Sequence, residues 1–282
     1  MAITDFQRRI CRLIAAHRIA QGESYIAGGV ALNTLLQADR ISRDIDIFHD
    51  SDLAIINSWN ADKELLEAHG YTVQQLRLLP SFAEALVRKE KDSVVLQWAR
   101  DSAFRFFPLL EDSTFGLTLH PFDLATNKVL ALAGRLEARD WIDVLACHER
   151  IQNLGYLFWA ACSKDPGFSP SSLLSEARRG GRYSADEISL LSFSGPAPDP
   201  AELGAHWHSM LSEAEQLIAL LPAQEVGTCV ISDAGELFRG EPARLKEALR
   251  NKAVHFHRGA IRGVWPRIID SRDSRGGTSL PL

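Results

Sequence analysis

Two stretches, Tyr25-Ile-Ala-Gly-Gly-Val-Ala-Leu32 and Arg40-Ile-Ser-Arg-Asp-Ile-Asp-Ile-Phe48, hold most of the information about how this 282-residue chain folds. The first predicts a short apolar strand that runs into two glycines and then a helix. In the second, Asp44 and Asp46 alternate with isoleucines, which predicts a half-buried strand. Successive side chains of a strand point to opposite faces, so we expect both carboxylates on the same face.

The two aspartates predict a metal site. Neighbouring carboxylates repel each other, so a purely structural role seldom places them side by side. Mg²⁺ is held in proteins by one or two carboxylates, with substrate phosphates and water as its other ligands. Gly28 and Gly29 would let the backbone approach a phosphate closely, beside the N-terminus of the next helix. The pattern therefore predicts a site for a metal-bound nucleoside triphosphate, and two solvated aspartates at a strand end are the alternative.

A later predicted helix carries two cations on one face. Lys128 and Arg135 are seven residues apart, which places them two helical turns apart on the same side. Such a face could clamp the phosphates of a bound triphosphate and neutralise charge in the transition state. A solvated face with ion pairs to Glu137 and Glu149 would explain the same spacing.

The order of these motifs resembles that of the AbiEii/AbiGii-type nucleotidyltransferases, which belong to the superfamily built on the polymerase β fold. The family pattern is Gly-Gly, an Arg-x-Ser-x-Asp-hydrophobic-Asp strand, a lysine on a later helix and Arg-Asp-x-x-Asp. The resemblance extends over roughly residues 20–150. The matching residues in this chain are Gly28-Gly29, Arg40-Ile-Ser42-Arg-Asp44-Ile-Asp46, Lys128 and Arg139-Asp140-Trp-Ile-Asp143.

The resemblance implies transfer of a nucleoside monophosphate from an NTP to an acceptor hydroxyl, with Mg²⁺ or Mn²⁺ as the metal. Asp44 and Asp46 would bind the metal and act in catalysis, while Gly28, Gly29 and Ser42 would bind the phosphates. The acceptor would be a tRNA 3′ end or a protein hydroxyl. The enzyme would be the toxin of a bacterial toxin–antitoxin or abortive-infection system, with a cognate antitoxin as partner.

The resemblance also implies roles for residues between 128 and 143. Lys128, which is essential in the family, would contact the triphosphate. Asp143 would either serve as the base for the acceptor hydroxyl or orient Lys128. Asp140 is expected to cap its helix, and Arg139 is expected to pair with a neighbouring carboxylate.

The chain departs from the family pattern at one expected metal ligand. Superfamily members commonly use a third carboxylate on a neighbouring strand, and that position holds Gln97 here. An amide is a poor substitute for a charged ligand, so the second metal site of the family is not supported. Asp92 or Asp101 could reach in from a strand end. Val30 also stands where the family often has Ser or Thr.

The alternation of helix and strand signals predicts an α/β (α+β) fold with a small mixed sheet of the nucleotidyltransferase type, flanking helices and a mostly helical C-terminal region. Asp123 and Asp140 are the predicted N-caps of two helices, which would cover residues 124–137 and 141–153. Two further helices are predicted over residues 60–70 and 186–193. The predicted regions are a core over residues 1–121, a helical region completing the active site over 122–194, a helix with a small α+β piece over 201–270 and a disordered tail over 271–282.

The composition is that of a globular protein, with 46% apolar and 24% charged residues. No apolar run reaches membrane-spanning length, and the N-terminus lacks the apolar core of a signal peptide, so we expect a cytoplasmic protein without a membrane partner. The cysteines are too scattered for a zinc site or a disulfide framework and are expected to be buried thiols. They are Cys11, Cys147, Cys162 and Cys229.

The net charge of −5 is unevenly distributed. Residues 239–275 contain ten Lys or Arg and four Asp or Glu, so the remainder of the chain is strongly acidic. This basic segment suggests a polyanionic partner such as tRNA, although an exposed helix and a solvated tail would give the same pattern. Phe104, Phe106 and Phe107 could stack on a base, although such clusters more often belong to the core.

Two other functions remain open at the level of sequence. A nucleotidyltransferase for a small molecule, such as an antibiotic, would need an acidic acceptor cleft, which the basic segment disfavours. A non-catalytic module that binds a nucleotide or RNA is supported by Gln97, because it stands in place of the third carboxylate.

Overall fold

The computed structural model describes residues 3–267, so the tail predicted over 271–282 lies outside the described part of the chain. Helices and strands alternate in the first half, and helices dominate the second half, which confirms the predicted fold class. The helices are α1 Asp5–Gln21, α2 Gly28–Leu36, α3 Asp52–Ala68, α4 Pro121–Arg135, α5 Ala138–Arg150, α6 Leu154–Ala161, α7 Pro170–Arg179, α8 Ala185–Ser189, α9 Pro200–Leu220 and α10 Pro242–Asn251. The strands are β1 Ser24–Ala27, β2 Arg40–Ile41, β3 Asp44–His49, β4 Thr72–Leu79, β5 Phe82–Lys89, β6 Asp92–Arg100, β7 Phe104–Arg105, β8 Leu110–Asp112, β9 Gly116–Thr118, β10 Ser192–Phe193, β11 Thr228–Ser232, β12 Val254–Arg258 and β13 Ala260–Ile261.

The main sheet has seven strands in the order β4-β5-β6-β3-β1-β9-β8. The pairs β3–β6 and β1–β9 are parallel, and the other neighbours are antiparallel, so the sheet is mixed. Strand β3 lies at the centre, between β1 and β6. In the β1–β3 pair Ala27 is opposite Asp46, so the chain leaves β1 for α2 directly beside that carboxylate.

Strand β3 has the alternation that its sequence predicts. Ile45 and Ile47 are fully buried in the core. Asp44, Asp46 and Phe48 alternate with them and are partly exposed on the opposite face. The two aspartates therefore share one face of the central strand, as predicted.

A buried ion pair joins α1 to α3 beneath the sheet. Arg18 and Asp62 are both fully buried, and Arg18 donates to an Asp62 carboxylate oxygen at 2.8 Å. The same carboxylate accepts a hydrogen bond from Trp98 Nε1 at 2.9 Å and lies 3.0 Å from His17 Nδ1. Several partners are needed here because the removal of each charge from water costs ~5 kcal/mol.

Asp123 does not cap α4, and the predicted N-cap is therefore wrong. The cap position is held by His120. The Asp123 carboxylate instead accepts hydrogen bonds from the backbone N–H groups of Phe106 at 2.9 Å and Phe107 at 3.0 Å, and it pairs with Lys164 at 2.8 Å. It thereby ties the segment around β7 to the start of α4. A short acidic side chain at a helix start is suited to either job, so local sequence does not distinguish them.

Three other predicted elements differ from the structure. Helix α5 begins at Ala138 with Glu137 in the cap position, so Asp140 is not its N-cap. Helix α3 begins at Asp52, earlier than predicted, because Ser51 accepts from the backbone of the first turn. The helix predicted over 186–193 ends at Ser189. Strand β10 follows it and pairs with β2, which directly precedes Ser42.

The C-terminal half packs on the sheet through a continuous core. Trp141 of α5 and Trp207 of α9 are almost fully buried in the same cluster as the isoleucines of β3. A second, smaller cluster lies between α6, α9, α10 and the β11–β12 pair. All four cysteines are buried and free. Within residues 3–267, no helix combines the length and apolarity needed to cross a membrane.

Candidate active site

A slot of about 320 Å³ lies between the partly exposed face of β3 and helix α4. With the exception of Asp143, every residue predicted from sequence to belong to the site lines this slot. The predicted residues in its lining are Gly28, Gly29, Ser42, Asp44, Asp46, Lys128 and Arg135. The structure adds Arg40, Phe48, Gln97, Ala99, Leu124, Asn127, Ala131 and Arg139.

The two glycines form a corner that no larger residue would fit. Gly28 has a φ of +65°, and a Cβ there would stand 1.9 Å from Asp46 Oδ2. A Cβ at Gly29 would stand 2.7 Å from Ser42 Oγ and 2.9 Å from a terminal nitrogen of Arg40. Within residues 3–267 no side chain caps the start of α2, so its first amides are available to an anion.

The carboxylates of Asp44 and Asp46 are the predicted metal ligands, and they lie side by side in the slot. Burial raises the pKa of Asp46, and the neighbouring charge of Asp44 raises it further, whereas Lys128 opposes both effects. Asp44 is about one-third exposed, with an Arg139 nitrogen 4.0 Å from its Oδ2. Arg139 also pairs with Glu137 at 2.6 Å.

The donor set fits one class of metal better than others. Across residues 3–267 there is no group of three or more His, Cys, Asp or Glu side chains that could hold an ion by themselves. Two carboxylates beside a glycine corner are suited to a hard cation that completes its shell with phosphate and water. A closed zinc site would require more protein ligands than this slot offers.

Lys128 lies at the base of the slot between two buried carboxylates. Its Nζ is 3.0 Å from Asp140 Oδ1 and 3.0 Å from Asp143 Oδ2. Burial alone would lower the pKa of Lys128, but the charges of Asp143 and Asp140 outweigh it and raise the pKa. Lys128 is therefore a fixed positive charge facing the Asp46 side of the slot.

Asp140 joins the two predicted phosphate-binding cations. Arg135 donates to its Oδ2 at 2.5 Å through Nε and to its Oδ1 at 2.9 Å. Burial would raise the pKa of Asp140, but the hydrogen bond from Arg135 and the charge of Lys128 lower it instead. The ion pairs of Lys128 and Arg135 are thus made with Asp140 and Asp143, and the alternative pairing with Glu149 is not found.

Asp143 lies behind Lys128 and is almost completely buried. Arg40 donates to both of its oxygens, at 2.6 Å and 2.7 Å. Since Arg40 and Lys128 together occupy this carboxylate, the geometry favours the predicted orienting role over that of a base reached by an acceptor hydroxyl. Arg40, which sequence reasoning placed only within a motif, links the strand before Asp44 to α5.

Gln97 stands directly opposite Asp46 in the β3–β6 pair, where a third carboxylate was expected. Its Nε2 donates at 2.9 Å to Oε1 of Glu84, which is paired with it on β5. The carboxylate next to this position is therefore Glu84, one strand farther from the aspartates. Neither Asp92 nor Asp101 lines the slot.

A second cavity of about 480 Å³ adjoins the slot at its Asp44 end. The two cavities share Arg40, Ser42, Asp44 and Arg139. The far wall comes from the start of α5 and from the residues around α8. It contains Glu137, Tyr183, Glu187 and Leu190, among others. A molecule in this second cavity would therefore lie outside the slot, next to the carboxylate of Asp44.

Another cavity and the basic segment, as far as the structure describes it, contain none of the residues that the sequence predicts for the site. A cavity of about 630 Å³ has a mainly apolar lining that includes Phe107, His120 and Trp265. Phe106 and Phe107 are core residues. In the described part of the basic segment, Arg239 donates to backbone carbonyls of α5, and Arg262 lies within 4 Å of acidic side chains, so part of its positive charge is already balanced.

Comparisons with known proteins identify solved structures that share this fold. No family model and no curated protein matches the chain. Several solved structures are similar to it. JHP933 from Helicobacter pylori is 17% identical, over 77% of this chain and 95% of that protein, with a TM-score of 0.51. MenT4, a nucleotidyltransferase toxin from Mycobacterium tuberculosis, is 16% identical, over 77% of this chain and 83% of that protein, with a TM-score of 0.52. At these identities the likeness establishes a shared fold, and it confirms the predicted resemblance to nucleotidyltransferases.

Proposed function

We propose that this protein is a Mg²⁺-dependent nucleotidyltransferase that moves a nucleoside monophosphate from an NTP to an acceptor hydroxyl and releases pyrophosphate. The observation that carries the proposal is the arrangement of the slot, in which Asp44 and Asp46 stand beside the Gly28 corner and face Lys128. A likeness of fold alone would not support the activity, because one fold can serve many functions.

Different residues of the slot would have different roles in phosphoryl transfer. Asp44 and Asp46 would hold Mg²⁺, or Mn²⁺ in its place, which when bound offsets the charge of the triphosphate and of the departing pyrophosphate. The amides at the start of α2 and the Ser42 hydroxyl would bind phosphate oxygens. In the reaction an acceptor O–P bond would form, the P–O bond to pyrophosphate would break, and the proton of the acceptor hydroxyl would pass to water. Such catalysis is mainly positioning and charge neutralisation.

The buried carboxylates would keep the cations in place before the substrate arrives. Lys128 is held by Asp140 and Asp143, and Arg135 is held by Asp140. A cation that is already oriented loses little conformational entropy when it binds a phosphate. Asp143 therefore acts as a positioning residue, through Lys128 and Arg40.

The acceptor would enter through the cavity at the Asp44 end. That cavity shares Asp44 and Arg139 with the slot, so an acceptor hydroxyl there would stand beside the metal carboxylates. We propose a tRNA 3′ end or a protein hydroxyl as the acceptor. Since MenT4 is a nucleotidyltransferase toxin with this fold, we further propose a toxin role in a bacterial toxin–antitoxin system, with a cognate antitoxin.

One observation favours a second candidate function. Gln97 occupies the position opposite Asp46 and is hydrogen-bonded to Glu84, so the slot offers two metal carboxylates where a two-metal transferase commonly has three. A non-catalytic protein that binds Mg²⁺-NTP would also fit this arrangement.

The test is incubation of the protein with each of four α-³²P-labelled NTPs, Mg²⁺ and total tRNA, with the protein itself examined as an acceptor. We expect label in tRNA or protein with at least one nucleotide, and loss of that label with EDTA or in Asp46→Asn. Asp92→Asn is the matched control, because Asp92 lies outside the slot and pairs only loosely with Arg9 at 3.7 Å. Mg²⁺-dependent NTP binding without any label transfer would support the non-catalytic function instead.

A further inference from the structure

A smaller pocket of about 250 Å³ adjoins the slot at its Phe48 end. Phe48 and Asn127 line both spaces, so the two are neighbours that share a wall. The lining of this pocket, called the β3-end pocket below, is Phe48, Asp101, Ser102, Phe104, Asn127, Leu130 and Lys164.

The position of the β3-end pocket follows from the alternation along β3. Asp44, Asp46 and Phe48 point to the same side, and two residues of a strand span about 7 Å. Helix α4 runs in the opposite direction, so its C-terminal end lies near Asp44 and Asn127 lies near Phe48. A nucleotide with its phosphates between Asp46 and Lys128 could therefore extend its sugar and base toward Phe48.

The apolar walls of the β3-end pocket offer flat aromatic surface. The Phe48 ring stacks on Tyr25, with ring centroids 6.3 Å apart and planes inclined by 29°. Phe104 packs edge-on against the core residue Phe106, with centroids 5.9 Å apart. Phe48 and Phe104 are themselves only partly buried. Held aromatic rings with exposed surface are suited to stack on nucleobases, since each base has a π face.

The polar groups of the β3-end pocket differ in how much of their hydrogen-bonding capacity is already used by other residues. Lys164 Nζ lies 2.7 Å from Asn127 Oδ1 and 2.8 Å from Asp123 Oδ1, so the cation and the amide oxygen are committed. Among residues 3–267, the contacts of Asp101 Oδ2 are Tyr25 OH at 3.5 Å and Asn127 Nδ2 at 3.4 Å. Both distances are at the long limit for a hydrogen bond. Asp101 Oδ2 therefore keeps acceptor capacity that faces the pocket.

We propose that the β3-end pocket binds the base of the NTP and that Asp101 selects a base with an amino group, such as cytosine, over uracil. The inference rests on the proposed function, because it assumes that the slot holds the triphosphate. A carboxylate accepts a hydrogen bond from the exocyclic amino group of cytosine. Uracil presents a carbonyl oxygen at the same place, and two facing acceptors would leave the carboxylate without a donor and repel each other.

The experiment compares binding of CTP, UTP and inorganic tripolyphosphate to the intact protein in Mg²⁺ by calorimetry. CTP and UTP differ in the group that Asp101 would read, and tripolyphosphate lacks a base. We expect CTP to bind about tenfold more tightly than UTP, which corresponds to a discrimination within the range of one good base contact.

Two variants test separately the aromatic walls of the β3-end pocket and its hydrogen-bond acceptor, Asp101. Asp101→Asn should bring the affinities for CTP and UTP within about threefold of each other, because an amide can donate as well as accept. Phe104→Leu, at a residue that lines this pocket but not the slot, should weaken both nucleotides about tenfold through lost stacking. Neither variant should change tripolyphosphate binding. Asp165→Asn, which alters an exposed aspartate beside Lys164 in sequence but outside the pocket, should match the wild type.

Different outcomes overturn the inference and the proposed function. Equal binding of CTP and UTP by the wild-type protein overturns the selection by Asp101. A loss of tripolyphosphate affinity in Phe104→Leu that equals its loss of CTP affinity overturns the base pocket, because the variant would then act on the phosphate site. Failure of tripolyphosphate and both nucleotides to bind in Mg²⁺ removes the proposed function itself.

Discussion

The backbone of Gly28 packs against the carboxylate of Asp46 so closely that a Cβ on this glycine would stand 1.9 Å from Asp46 Oδ2. Gly28 also has a φ of +65°, which L side chains seldom adopt. The glycine and the aspartate belong to different elements, the start of α2 and strand β3, and the β1–β3 pairing brings them together. The corner at which α2 begins is therefore shaped around the carboxylate of Asp46.

The first prediction concerns this corner. Gly28→Ala should displace Asp46 and abolish Mg²⁺-dependent NTP binding, and it should also lower the free energy of unfolding by at least ~1 kcal/mol because of the backbone strain. Calorimetry and thermal unfolding measure the two effects. Gly204→Ala is the control, since a Cβ there would meet no atom within 4 Å. Retention of wild-type Mg²⁺-NTP affinity by Gly28→Ala would contradict the described corner.

The second prediction concerns the cation at the base of the slot. Lys128→Met should weaken tripolyphosphate binding more than tenfold but leave the protein folded, because Asp143 keeps Arg40 and Asp140 keeps Arg135. Removal of one partner from a buried ion pair costs ~3–5 kcal/mol, so a lower melting temperature should accompany the loss of binding.

Arg40→Met provides the comparison for that result. Asp143 would then keep only Lys128, so the variant should be destabilised to a similar degree. Lys128 would still face the slot, however, and tripolyphosphate should bind better than it does to Lys128→Met. If Lys128→Met bound tripolyphosphate as the wild type does, Lys128 would have no part in phosphate binding.

The third prediction concerns acid stability and the buried carboxylate of Asp62. Burial would raise the pKa of Asp62, but the charge of Arg18 and the hydrogen bonds from His17 and Trp98 outweigh it and hold the pKa below its usual value near 3.8. A depressed folded-state pKa stabilises the protein above the unfolded value, and the contribution is lost as pH falls through the folded value. Stability should thus fall below about pH 4.

Thermal unfolding between pH 3 and pH 6 tests this expectation. Asp62→Asn should lower stability at pH 6 by ~3–5 kcal/mol, because Arg18 would remain buried without its counter-charge, and the pH dependence below 4 should become shallower. Asp92→Asn removes an exposed carboxylate and should leave the profile nearly unchanged. An identical acid transition in Asp62→Asn and the wild type would show that other groups control it.

The fourth prediction concerns the position of the absent third carboxylate. Gln97→Asp should add a third carboxylate to the slot, opposite Asp46, and tighten Mn²⁺ binding several-fold, with the effect measured by electron paramagnetic resonance. Glu84→Gln is the companion variant, because it removes the carboxylate that Gln97 now contacts without adding one to the slot. Equal Mn²⁺ affinity in Gln97→Asp and the wild type would mean that residue 97 does not face the ion.

Local sequence is sufficient for the elements whose chemistry repeats at short range. The alternation of Asp44, Ile45, Asp46 and Ile47 predicts both the strand and its faces, because a strand side chain has only two directions available. The glycine pair predicts the turn into α2 for a similarly local reason. These patterns and the order of motifs are enough to predict the fold and seven of the fifteen residues that line the slot.

The partners of charged side chains are decided over longer distances. Asp123 and Asp140 are both reasonable N-caps when only their neighbours in sequence are considered. In the folded chain, Asp123 holds the backbone of residues 106 and 107, and Asp140 holds Lys128 and Arg135. The contact between Arg40 and Asp143 joins residues that are 103 positions apart, so no local pattern could predict it.

Periodicity and motif order thus place Asp44, Asp46 and the glycine corner, since the constraints that create them act within a few residues of chain. Sheet pairing and the packing of α4 and α5 decide which carboxylates the cations bind. They also put Gln97 beside β3 and Glu84 one strand farther away, and they bring Asp101 to the end of β3. A charge takes the partner that the folded backbone brings within about 3 Å. That distance depends on how remote elements pack together.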